Sequence, residues 1–197
     1  MIRRPRPPPR RLHGTEDLVA ARAILIDRRR FLVAAAGGSV ALLFGLGHAD
    51  EAAGHDPWPV LDAVTRHLLP SEPDSPGAAE IHAIGYLRFV AEDPWIEQQE
   101  RDFLLDGTRW LDELAQTRHG GTFRTLDDAQ RESLLRQITA TPAGENWLST
   151  LISYLFEALL SAPAYGGNPG GIGWRWLEYV PGFPLPDADT RYPQLPL

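Results

Sequence analysis

Trp147-Leu148-Ser149-Thr150-Leu151-Ile152-Ser153-Tyr154-Leu155-Phe156-Glu157-Ala158-Leu159-Leu160 decides how the chain is read. Its large apolar residues (Trp147, Leu148, Leu151, Ile152, Leu155, Phe156, Leu159 and Leu160) recur at steps of three and four. That is the period of a helix, and it gives an apolar face too wide for a surface helix. The stretch therefore predicts the central helix of a bundle.

The segments before it carry the same period. Asp56-Pro57 opens a first helix, with Asp as N-cap and Pro at the first helical position, and Val60, Leu61, Val64 and Leu68 follow along one stripe. Residues 70–77 form a connector rich in Pro and Ser. A second helix is expected over 78–91, burying Ile81, Ile84, Leu87, Phe89 and Val90. A third is expected from about Ile96 to Arg118, with Phe103, Leu104, Trp110, Leu111 and Leu114 inward and Gly120-Gly121 as its stop. The fourth is expected to start at Thr125, capping the amide of Asp128, and to end at Thr141-Pro142. Its stripe is Leu126, Ala129, Leu134, Leu135 and Ile138. No sustained strand alternation and no Gly-x-Gly-x-x-Gly after a strand appears, which excludes a nucleotide-binding βαβ unit. The expectation is an all-α, single-domain bundle of about five helices, closed by a Gly- and Trp-rich C-terminal loop.

That loop begins where the fifth helix ends. Residues 161–176 crowd glycine together with Tyr165, Trp174 and Trp176, and Pro181-Gly182-Phe183-Pro184 follows. Gly and Asn adopt positive φ at little cost, so the segment reads as a tightly folded loop, not a helix. So much aromatic surface argues against a flexible linker. Three roles stay open: a packed loop that closes the domain, a loop that docks a partner, and a phosphate cradle. The last lacks the Lys-Ser/Thr and following helix of a P-loop.

The N-terminal quarter differs. Arg28-Arg29, a spacer, then Phe31-Leu32 and an almost uncharged run to His48 form the pattern of a twin-arginine export signal. An ordinary secretory signal and a retained anchor or core helix are the alternatives, and the arginine pair favours the twin-arginine reading. The Pro- and Arg-rich lead before it reads as disordered, and Gly47 and Ala49 offer small residues for cleavage. Residues 1–49 are thus expected to be an export segment and residues 50–197 the folded domain. Residues 1–49 carry a net charge of +6, so with −7 over the whole chain residues 50–197 carry −13. So acidic a domain repels nucleic acid and anionic lipid, and neither is expected as a partner.

The twin-arginine route moves folded proteins, and cargo usually needs it because a cofactor was inserted in the cytoplasm. Yet the chain has no Cys, no Lys, and no Met beyond Met1. Disulfides, thiolate metal sites, iron–sulfur clusters, c-type haem attachment, a Met axial ligand and a Schiff-base lysine are all excluded. No His-x-x-x-His or Glu-x-x-His pair lies within one helix, so His55, His67, His82 and His119 read as structural or surface residues. Ser71, Ser75 and Ser161 lack a nucleophile elbow. Asp102, Asp106, Asp112 and Glu113 read as solvated acidic surface of the third helix or a docking face, ahead of paired-acid catalysis.

Tyr165-Gly166-Gly167-Asn168 with Gly173-Trp174, followed by Pro181-Gly182, resembles the signature of the gluconate 2-dehydrogenase subunit 3 family. The order of the chain is similar too: the export signal, Leu68-Leu69-Pro70 with Ser75-Pro76-Gly77-Ala78, helices, then this loop. The likeness runs over roughly residues 57–184, and 174–179 is more aromatic than the family pattern. It implies a small, non-catalytic subunit of a periplasmic, membrane-associated dehydrogenase of sugars, sugar acids or alcohols. FAD would sit in a large subunit, haem c in a third, cytochrome subunit, and no cofactor in this chain. The small subunit would carry the large one through the twin-arginine translocase, which reads Arg28, Arg29, Phe31 and Leu32. Tyr165, Gly166, Gly167, Asn168, Gly173, Trp174, Trp176, Pro181 and Gly182 would form the partner-docking loop. The alternative is a freestanding periplasmic helical protein that binds a small ligand through the same loop.

Overall fold

A computed structural model describes residues 54–194. The export pattern at Arg28, Arg29, Phe31 and Leu32 lies outside the described residues. Within them the chain is all-α, with no strand: α1 Pro57–Leu68, α2 Ala83–Glu92, α3 Gln98–His119, α4 Asp128–Ile138, α5 Pro142–Leu160 and a short α6 Ile172–Trp176.

Local chemistry sets most boundaries. The Asp56 carboxylate accepts the Trp58 N–H at 3.1 Å and caps α1. Gly120, at φ 72°, ends α3 in the left-handed conformation. Thr141 caps α5 by accepting the Gly144 N–H at 3.1 Å, with Pro142 in the first turn. The Thr141-Pro142 pair thus starts α5, while α4 already ends at Ile138, three residues before the expected stop.

Two expected starts move. The second helix begins at Ala83, not 78, because the chain turns through His82 at φ 53° and hands the Ile81 carbonyl to the backbone N–H of Asn168 at 2.9 Å. A carbonyl given to a distant loop cannot continue a helical ladder. Thr125 is not the cap of α4. Fully buried Phe123 draws residues 123–125 into a 3₁₀ turn, and Asp127 and Gln130 form the capping box instead.

α5 is the central helix, packing against α1, α2, α3, α4 and α6. Its inward side is Trp147, Leu151, Tyr154, Leu155, Ala158 and Leu159. The Trp147 indole lies against α3 and donates to the Leu104 carbonyl at 2.9 Å. It fits because Gly107 is bare, since a Cβ there would overlap the indole ring. Only part of the wide apolar face is used. Ile152, Phe156 and Leu160, at i, i+4 and i+8, are exposed, Phe156 to 58 %.

Candidate functional site

The C-terminal loop is built around Asn168, which is 0 % exposed and sits at φ 50°. Its backbone N–H reaches Ile81, as described, and its carbonyl accepts the Gly171 N–H at 2.9 Å. The side-chain amide donates to the Ser161 carbonyl at 2.9 Å and accepts the Gly173 N–H at 2.7 Å. One buried residue therefore ties together the turn before α2, the end of α5 and the start of α6. Such satisfaction is what a buried amide requires.

The flanking glycines allow that approach. Gly166, at φ 88°, crosses Gly85 of α2 so closely that a Cβ on it would stand 2.7 Å from the Gly85 carbonyl oxygen. A Cβ on Gly167 would stand 2.7 Å from the Ala158 carbonyl oxygen, and one on Gly173 would collide with the Leu159 carbonyl. Trp174 is buried and its indole N–H donates to the Leu160 carbonyl at 2.8 Å, satisfying an end-of-helix acceptor. These contacts coil residues 172–176 into α6, so the segment expected to contain no helix has one turn of it.

Tyr165 belongs to a separate aromatic cluster with Phe89 and Tyr192, with ring centroids 5.3–6.0 Å apart. Burial pushes its phenol above the ordinary value. Residues 191 and 192 are fastened there. Tyr192 donates its hydroxyl to the buried Asp93 carboxylate, and the Arg191 guanidinium lies 5.7 Å from the Phe89 ring centre.

The signature residues thus divide. Gly167, Asn168, Gly173 and Trp174 are buried and hold the fold, while Trp176, Gly166 and Gly182 are exposed and Pro181 is half-buried. After Trp174 the chain stays at the surface, with Trp176, Leu177, Tyr179 and Val180 all exposed.

One hydroxyl–imidazole–carboxylate row escaped the sequence reading. His55 Nε2 lies 2.9 Å from Thr108 Oγ1, and His55 Nδ1 lies 3.9 Å from Asp112 Oδ2. It resembles a nucleophile triad in outline only. The Thr108 hydroxyl is fully buried and donates its proton to the Leu105 carbonyl at 2.6 Å, so Nε2 must carry the hydrogen in the Thr–His contact. A protonated Nε2 cannot take the hydroxyl proton. Asp112 also accepts the Phe123 N–H at 2.9 Å. It is therefore a structural acceptor between α3 and the 3₁₀ turn, not the solvated charge expected. His67, in the last turn of α1, meets Glu132 of α4 at 3.0 Å. That contact is the largest of several that hold the Glu132 carboxyl below its ordinary value.

Fold and loop define a class: a small helical domain locked by a Gly-Gly-Asn…Gly-Trp loop. The particular family follows from comparison. The family model described as gluconate 2-dehydrogenase subunit 3 matches residues 55–182, and the chain belongs to that family. Its name makes the family a subunit of a dehydrogenase complex. No curated protein and no solved structure matches the chain.

Proposed function

We propose that this protein is the non-catalytic small subunit of a periplasmic FAD-dependent dehydrogenase, and that it escorts the folded flavoprotein large subunit through the twin-arginine route and stabilises it. The observation that carries the reading is the family match over residues 55–182. The composition supports it. Arg28-Arg29 with Phe31-Leu32 is a pattern read by machinery that moves folded proteins, on a chain with no Cys or Lys. A flavoprotein travelling with it supplies the reason for that route. FAD belongs to the large subunit, haem c to a cytochrome subunit that takes the electrons, and the oxidation to the flavin.

The test is the double variant Arg28→Lys, Arg29→Lys in the native cell. Both polypeptides are expected to remain in the cytoplasm. A large subunit that still reached the periplasm would overturn the escort role.

A further inference from the structure

We infer that the large subunit docks on the outer face of α5 and the surface just beyond α6, not on the Gly-Gly-Asn loop. This inference rests on the function proposed above. The loop is unavailable for the task because Asn168, Gly173 and Trp174 have already spent their polar groups and surface on the bundle.

The outer face is available. Ile152, Phe156 and Leu160 form one stripe along α5, exposed to 42 %, 58 % and 48 %. At its C-terminal end the stripe meets the next segment. The Leu160 carbonyl holds the Trp174 indole, and Tyr179 packs on Trp174 with ring centroids 6.4 Å apart. Trp176, Tyr179 and Val180 extend the apolar surface there. A covered aromatic buries about 150–250 Å². At the fractions uncovered, these six side chains therefore present on the order of 700 Å², close to the ~800 Å² each partner gives a stable interface. Monomers seldom leave that much apolar surface in contact with water.

Charge selects the occupant. From Asn146 to Trp174 the only charged side chain is Glu157, whose carboxylate accepts the Tyr86 hydroxyl at 2.8 Å. Exposed Arg175 and Glu178 beyond it offset each other, so residues 146–180 carry a net charge of only −1 in a domain of net charge −13. A second copy would bring another −13 against it, and an anionic bilayer would meet the same repulsion with Arg175 as the one cation between 137 and 190. A large folded protein with a matching uncharged apolar surface has neither obstacle, and Phe156, Trp176 and Tyr179 are the residue types that anchor such contacts.

The experiment is capture of the complex from native cells through a C-terminal tag on the full chain, read as co-eluting flavin. Phe156→Arg and Val180→Arg are compared with wild type and with Gln137→Arg, an equal charge change on exposed α4 surface. Wild type and Gln137→Arg are expected to bring flavin down, and the two patch variants to retain roughly 10–100-fold less at unchanged helical circular dichroism. Hydrogen exchange on the wild-type complex supplies a readout independent of any variant's folding. Amides of 152–160 and 176–180 are expected to exchange more slowly than in the free chain. Patch variants that hold the flavoprotein as well as wild type, or no added protection at 152–160, would overturn the site while leaving the subunit reading intact. Wild type that captures no flavoprotein would overturn both.

Discussion

Residues 165–174 and residues 175–183 are neighbours with similar content, glycine or proline mixed with large aromatics. Their fates are opposite. In the first, Asn168 and Trp174 are buried and every polar group of their side chains has a protein partner. In the second, Trp176, Tyr179, Val180 and Phe183 face solvent. Composition therefore does not separate a buried lock from an exposed surface. The glycines do, because the first segment threads its backbone against α2 and α5, where a Cβ cannot fit. The family signature marks the lock. Its buried residues within 165–174 fasten the loop to the bundle, and the exposed apolar side chains follow directly after them.

The sharpest way to break this comparison is Asn168→Ala. The Gly173 N–H and the Ser161 carbonyl would each lose a partner in a buried setting, at about 1–3 kcal/mol apiece. Alanine at φ 50° adds about 1 kcal/mol or more. The total loss is expected at about 3–7 kcal/mol, read from urea unfolding. A loss under about 1 kcal/mol would mean that the loop is not a lock.

A finer contrast uses two tryptophans two residues apart. Trp174 is 8 % exposed and Trp176 is 45 % exposed. Trp174→Ala is expected to cost about 3–5 kcal/mol through lost packing and an orphaned Leu160 carbonyl. Trp176→Ala is expected to stay within about 1 kcal/mol and to act on partner capture instead. Equal losses in the two variants would erase the distinction between the segments.

The elements legible in the sequence were those decided within one turn of chain. Asp56-Pro57 starts a helix, Gly120 stops one, and the period of 147–160 marks the central helix because each answer depends on residues a few positions away. The misplaced starts depended on distant partners. Ile81 gives its carbonyl to Asn168, and Phe123 sinks into the core ahead of Thr125. The site was half legible for the same reason. Tyr165 through Trp174 stood out by composition, but nothing local tells that Asn168 is a knot, or that Asp112 faces His55 across 57 residues. The outward stripe of α5 was hidden in a different way. Helical period marks Ile152, Phe156 and Leu160 as apolar but does not say whether an apolar face is covered by its own chain or by another.

The smallest effect expected concerns the exposed connector before α2, and it tests whether stability outside the two segments is ordinary surface chemistry. The Glu80 carboxylate accepts the Ser71 hydroxyl at 2.5 Å and the Gly77 N–H at 3.1 Å. The Ser71 bond is the largest cause holding its carboxyl below the ordinary value of 4.5. A group lowered by folding binds fewer protons in the native state, so its stabilisation is complete above that ordinary value and fades as pH falls through the native one. Ser71→Ala should therefore melt slightly below wild type at neutral pH, and the gap should close on acidification below 4.5. Thermal unfolding of both proteins across that range checks the sign. A gap that stayed constant or widened in acid would show that Ser71 supports the turn by packing and not through the Glu80 charge.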